Sequence, residues 1–321
     1  MSFKFGFSAY PDSDDDDNNN DDTAPTRSAA APENATLPAT HHTLASLFPT
    51  LPRNISYAFV PLTSTLFLPR RELYDVRMQL MASDTLDSLP GLGEEDIRTR
   101  VYEGGLKSWE CSLDLAQHLY TAADTPGSVL ELGCGTALPT MLVFHRMLVE
   151  GKRGRIVLAD YNRHVLELVT LPNLFLTWVA ATQSGVGMVA GENGDLDASD
   201  ELREAFLGDL ERRGVEVEFV SGGWGKQMVD MVGGGGWDLV LGSETIYSPE
   251  TTPEFTEVLL GTIADGGRGL VAAKRIYFGV GGSVEDFVGD VERRGGWEVT
   301  PVRELADVGV GRVIVEVARK K

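Results

Sequence analysis

The sequence predicts an α/β protein: a seven-stranded, mostly parallel sheet closed by a C-terminal antiparallel hairpin, with a small N-terminal cap. Three observations predict it. From Ser128 onward, short apolar runs alternate with helix-length periodic segments, an order that lays strands side by side with helices on both faces. One run, Val129-Leu130-Glu131-Leu132, enters Gly133-Cys134-Gly135-Thr136 and leaves into a long apolar-periodic segment, which reads as buried strand, tight turn and helix start. The chain closes on two β-rich stretches, residues 297–300 and 312–317, spaced as a hairpin.

Composition bounds the rest. With 321 residues and 42% hydrophobic content the chain holds one large or two small domains with ample core. The formal net charge of -20 argues against direct nucleic-acid binding, which needs a basic patch for phosphates, and suits a basic partner. No run of about 18 apolar residues is present, so no membrane span is expected, and Met1–Phe7 lacks the apolar stretch of a secretory signal. The two cysteines, Cys111 and Cys134, have no metal-ligand spacing and point to a reducing compartment. His41 and His42 lie in a low-complexity stretch and His118, His145 and His164 are scattered, so no metal site is expected.

In chain order, residues 1–53 read as an acidic low-complexity tail, expected to be disordered because PDSDDDDNNNDD at 11–22 has nothing to bury. Residues 54–126 read as the cap. Within it, 55–68 is β-branched and aromatic, interrupted by Pro61, and predicts two short strands. Pro69 then opens a helix with Leu73, Val76, Leu80 and Met81 on one face; 86–93 is a loop and 94–100 a short helix. Residues 127–321 form the main domain. Thr136 is placed to cap the helix after the glycine turn, with Pro139 in its first turn, and that helix end would offer free N–H groups to an anion. Further strands are predicted at 155–159, 215–220, 237–242 and 269–273. Helices are predicted through Val165–Trp178 (bent at Pro172), over 200–213, around Phe255–Ile263 and after the Ser283 cap; 185–198 is a polar loop.

In such sheets ligands bind at the carboxyl ends of the strands. The Gly133-x-Gly135 turn has Leu138 where a dinucleotide fingerprint wants a third glycine. Glu131 beside it would repel a pyrophosphate and suits a cation, which favours S-adenosylmethionine over a nicotinamide coenzyme. Asp160 ends the next strand, placed for the ribose hydroxyls, with Tyr161 and Asn162 flanking an adenine. Gly223 and Trp224 end the third strand, where an indole either stacks on the base or joins the core. Ser243-Glu244-Thr245-Ile246-Tyr247 ends the fourth. Glu244 and Tyr247 are candidate catalytic groups on the acceptor side; a turn cap and a packing tyrosine are equally open readings.

Together, residues 101–115 (VYEGGLKSWECSLDL), 131–135, 160–162, 169–173 (VTLPN) and 243–249 resemble the protein-histidine methyltransferases of the seven-β-strand, Rossmann-like class I. Residues 70–80 and 1–7 resemble that family too. The resemblance implies methylation of a histidine in a large-subunit ribosomal protein, with S-adenosylmethionine as donor. Matched by position, it implies a cofactor wall of Trp109, Glu110, Cys111, Ser112, Leu113, Gly133, Asp160, Tyr161, Asn162, Trp224 and Ser243. Glu244 and Tyr247 fall where related lysine methyltransferases carry an acid and a tyrosine. Gly223 departs from the pattern, standing where an acidic side chain is expected. A ribosomal target implies cytoplasm and nucleus, with no membrane. Two alternatives stay open: a lysine methyltransferase of the same class, and a cofactor-binding assembly factor without catalysis.

Overall fold

Strand-forming segments appear earlier in the chain than composition suggested. In a computed structural model, which describes residues 37–82, 104–183, 186–305 and 310–320, β1 (Thr40–Thr43) is followed by α1 (Leu44–Leu47) and a single tight turn of helix. Leu47 and Leu51 are buried in the main core, so residues 39–53, read as part of a disordered tail, are structured, while residues 1–36 of that tail lie outside the described residues. Low-complexity composition hid a short strand whose apolar anchors lie just after it. Residues Thr36–Lys321 form one compact unit.

Next come β2 (Asn54–Pro61), β3 (Phe67–Arg71) and α2 (Leu73–Ala82). Pro61 ends β2, as expected of a residue without a ladder N–H. Pro69, expected to open a helix, instead lies inside β3, paired with Phe59. The loop and helix expected at 86–100 lie outside the described residues. α3 (Glu110–Tyr120) leads into β4 (Ser128–Leu132), and α4 (Leu138–Glu150) follows the glycine turn.

β5 (Gly154–Asp160) is followed by one helix with an irregular middle: α5 (Arg163–Val165), a π-helical turn over Leu166–Thr170, then α6 (Leu171–Thr182). The bend expected at Pro172 takes this form. Pro172 has no N–H to give Leu168, and the Leu168 carbonyl accepts from Arg71 Nη1 instead, at 2.8 Å. Arg163–Thr182 is long and apolar enough to cross a membrane, but 78% of its apolar 18-residue window is buried in the protein, which makes it a core helix.

The insertion contributes β6 (Gly194–Asp197), part of the expected polar loop, and α7 (Asp200–Arg213), capped by Ser199. Then come β7 (Val215–Ser221), α8 (Lys226–Val232), β8 (Trp237–Ser243), α9 (Thr252–Thr262), β9 (Ile263–Lys274), α10 (Val284–Arg294), β10 (Trp297–Leu305) and β11 (Arg312–Arg319).

The main sheet has the order β1-β7-β5-β4-β8-β9-β11-β10. β7, β5, β4, β8 and β9 are mutually parallel, and β11 enters antiparallel between β9 and β10. All seven expected strands are present; β1 is an eighth, antiparallel on the β7 edge. Gly222 (φ +120°) permits that docking, since a Cβ there would lie 2.5 Å from the Pro38 carbonyl oxygen. A second sheet, β3-β2-β6, ties the segment before α2 to the insertion. Core lies on both faces of the main sheet, with Phe144, Phe175 and Trp178 on one and Trp237, Phe255 and Phe287 on the other.

Candidate active site

The carboxyl ends of β4, β5, β7, β8 and β9 open into one cavity. Its wall is built from Gly133–Thr136 after β4, Asp160 and Tyr161 at the end of β5, and Gly223 and Trp224 after β7. Ser243, Glu244, Thr245 and Tyr247 follow from β8, and Lys274, Tyr277 and Val280 from β9. Gly105, Lys107, Trp109 and Ser112 close it from the segment before α3, and Thr251 and Glu254 from the start of α9.

The glycine turn is tightly fitted. Gly133 has φ +64°, and a Cβ there would lie 2.8 Å from Thr245 Cγ2; a Cβ on Gly135 (φ +50°) would lie 3.1 Å from the Gly105 carbonyl oxygen. Thr136 does not cap α4. Its hydroxyl pairs with Ser108 Oγ at 2.9 Å, and the cap position falls to Ala137 in the left-handed region (φ 56°).

The capping oxygen belongs to Glu131, whose Oε2 accepts the Thr140 N–H at 3.0 Å. Glu131 is fully buried and outside the cavity wall, so it does not face a ligand's cationic end as expected. Burial, with the Asp160 carboxylate adding to it, pushes its pKa up to about 8 against the Thr140 hydrogen bonds. The turn is not an open anion cradle. Cys134 N–H donates to the Ala159 carbonyl, Gly135 N–H to Asp160 Oδ2 at 3.0 Å, and Ala137 N–H to the Cys134 carbonyl. Two carboxylates thus take donors that a phosphate would need.

Asp160 stands where expected, almost fully buried, with Oδ1 accepting the Asn162 N–H at 3.1 Å. Asn162 itself is not part of the wall. At the β7 end, Gly223 donates its N–H to the Leu37 carbonyl at 2.9 Å. Trp224 lines the cavity and packs T-shaped against Phe255, with centroids 5.8 Å apart.

The expected wall segment at the start of α3 is divided. Trp109 is fixed by its indole N–H on the Gly104 carbonyl at 3.0 Å, under Lys107 Nζ at 4.4 Å from the ring centroid, and Ser112 lines the cavity beside it. Glu110, Cys111 and Leu113 do not line it; helix periodicity turns them aside. Glu110 is exposed. Burial works to raise its pKa, but its backbone hydrogen bond and Lys274 hold it below the usual carboxylate range. Cys111 is fully buried next to Glu244, and burial first, then that carboxylate, push its thiol pKa up.

At the acceptor end Glu244 has φ 56°, uncommon for a residue with a side chain. Its N–H bonds the Ala272 carbonyl at 2.9 Å, which holds the turn against β9. Glu244 Oε2 accepts the Tyr277 hydroxyl at 2.6 Å. Glu244 Oε1 is buried with no hydrogen-bond partner among the described residues, and Lys274 Nζ stands 3.7 Å from it. Tyr247 lines the cavity and meets Tyr277 edge to face. Sequence reading missed Lys274 and Tyr277. The strand-end rule that located Asp160 and Glu244 finds Lys274 as well when applied to the fifth parallel strand; Tyr277 needs the turn geometry.

No protein-family model matches the chain. It is 36% identical to histidine protein methyltransferase 1 of Saccharomyces cerevisiae, over 79% of this chain and 77% of that protein. It is 39% identical to the Schizosaccharomyces pombe protein of the same name, over 74% of this chain and 72% of that one. The chain belongs to the histidine protein methyltransferase 1 family. The Bos taurus homologue of that family is 34% identical over 70% of this chain and 58% of its own length. Among solved structures the chain is similar to a TehB-like SAM-dependent methyltransferase from Corynebacterium glutamicum (TM-score 0.41, 10% identity, 78% of this chain and 100% of that one). It is also similar to a Burkholderia thailandensis 1,6-didemethyltoxoflavin-N1-methyltransferase (TM-score 0.38, 13% identity, 83% of this chain and 96% of that one). Within the histidine protein methyltransferase 1 family, the cavity described above is this chain's candidate active site.

Proposed function

We propose that the chain is a protein-histidine N-methyltransferase that uses S-adenosylmethionine. The observation that carries the chemistry is Glu244, a carboxylate with one oxygen tied to Tyr277 and the other buried in the cavity wall without a hydrogen-bond partner among the described residues. The glycine turn, Asp160 and Trp224 open onto the same space.

The residues present fit the cofactor. Gly133 and Gly135 let the turn pack closely against Thr245 and Gly105 at the cavity wall, Asp160 presents its carboxylate to the cavity, and Trp224 offers an aromatic ring to a base. When bound there, S-adenosylmethionine supplies an electrophilic methyl group on sulfur. The chain's task is then positioning. A neutral imidazole already carries a nucleophilic lone pair near pH 7, so no strong base is required. The Glu244 carboxylate accepts the N–H of the non-reacting nitrogen, which selects a tautomer and stabilises the imidazolium that forms as nitrogen gains the methyl. Solvent takes the surplus proton afterwards. Tyr277 acts as a positioning residue by fixing the Glu244 rotamer.

The substrate reading is a basic large-subunit ribosomal protein. It is supported by the net charge of -20 and by the resemblance at residues 101–115 and 243–249. Such a target places the enzyme in cytoplasm and nucleus. The test is methyl transfer from radiolabelled S-adenosylmethionine to purified large-subunit ribosomal proteins, wild type beside Asp160→Ala. Methylhistidine in one protein, lost with the variant, supports the reading; methyllysine refutes it.

A further inference from the structure

Glu244 poses an electrostatic problem for the reaction it serves. A carboxylate beside a histidine stabilises the imidazolium, and an imidazolium has no lone pair for the methyl carbon. The enzyme therefore needs to hold the acceptor against Glu244 without protonating it.

Lys274 lies where that conflict is resolved. It is the last residue of β9, and its ammonium stands 3.7 Å from Glu244 Oε1 and 3.5 Å from Glu110 Oε2. It is also 5.4 Å from the centroid of the Trp109 ring, and it lines the cavity. Any group that donates to the Glu244 carboxylate from the cavity comes within a few ångströms of this cation. We propose that Lys274 compensates the charge of Glu244 and thereby keeps the acceptor histidine unprotonated in the bound complex. The proposal rests on the histidine reading above and adds to it the residue that sets the acceptor's protonation state.

The surrounding groups do not supply this compensation. Cys111 of α3 and Tyr277 are buried, with pKa values raised by burial and by Glu244, so both remain neutral. Tyr247 is a neutral phenol at physiological pH. Glu110 of α3 and Glu254 of α9 carry the wrong sign. Arg312 of β11 is engaged by Asp114, at 2.5 Å, and Lys107 stands over the Trp109 ring at 4.4 Å from its centroid. Lys274 is the cation that the structure brings within 4 Å of Glu244 among the described residues.

The experiment is the pH dependence of kcat at saturating acceptor, because kcat reports ionisations in the bound complex. Wild type, Lys274→Gln and Lys274→Arg are compared with radiolabelled S-adenosylmethionine and purified large-subunit ribosomal proteins, counting label as methylhistidine. In Lys274→Gln the acid limb moves up by about one pH unit, so the rate at pH 6.5 falls roughly three- to fivefold more than at pH 8.5. Lys274→Arg restores the wild-type limb. S-adenosylhomocysteine affinity, measured by calorimetry, stays within about twofold for both variants, which separates this effect from misfolding. A Lys274→Gln profile unchanged in shape, or lowered by one factor at every pH, overturns the proposal and leaves the histidine reading standing. Wild-type label recovered as methyllysine overturns that reading instead.

Discussion

Asn173 holds the backbone of Arg71 and the glycine turn in one side chain: its Oδ1 accepts the Arg71 N–H at 2.7 Å, and its Nδ2 donates to the Thr136 carbonyl at 2.9 Å. The second sheet is thereby registered against the cofactor cavity. Asn173→Ala leaves a buried donor and a buried acceptor unmade, an expected loss of about 2–4 kcal/mol. Urea denaturation checks it; an unchanged midpoint contradicts the assignment.

Besides the bond its oxygen accepts from the Lys274 N–H at 3.3 Å, the Tyr277→Phe change removes a hydrogen bond to a charged oxygen. Such bonds contribute about 1.5–3 kcal/mol, so kcat is expected to fall between about 10- and 100-fold. S-adenosylhomocysteine affinity by calorimetry should hold, because the hydroxyl points at Glu244. A rate equal to wild type would remove Tyr277 from the mechanism.

Gly133→Ala tests the cofactor turn directly. The new methyl meets Thr245 Cγ2 at 2.8 Å on a backbone with φ +64°. Strain and collision together predict at least a tenfold weaker S-adenosylhomocysteine affinity by calorimetry, with the fold retained by circular dichroism.

Glu131 makes a prediction about pH and stability. Its pKa in the folded protein is about 8 against an ordinary 4.5, so the native state keeps a proton that the unfolded chain releases in that window. The resulting stabilisation is complete below about pH 4.5 and is lost as pH rises through 8. Glu131→Gln keeps an oxygen for the Thr140 N–H and removes the titration. Its melting temperature should decline less than wild type's between pH 5 and pH 8.5, as read by differential scanning calorimetry across the series.

The parallel strands and the carboxylates at their ends were legible because both signals are local: an apolar run, then a polar residue at a fixed place. Asp160, Glu244 and Tyr247 were found in that way, and all three line the cavity. Glu131 was placed on the wrong side because a strand buried on both faces has no alternation to say which way a side chain turns. Glu110, Cys111 and Leu113 came as a contiguous block, and a helix disperses a block around its axis. β1 was hidden because its signal is the partner, β7, and not the four residues themselves.

That pairing also sets an order of events. His42 and Ser221, which join β1 to β7 through a 2.8 Å side-chain contact, are 179 residues apart in the chain. Contacts so distant form against a larger loop-closure entropy than local ones. During synthesis the β1 segment emerges long before its partner exists, and the edge of β7 stays open until the two meet. The strand that completes the sheet is made early and is seated late.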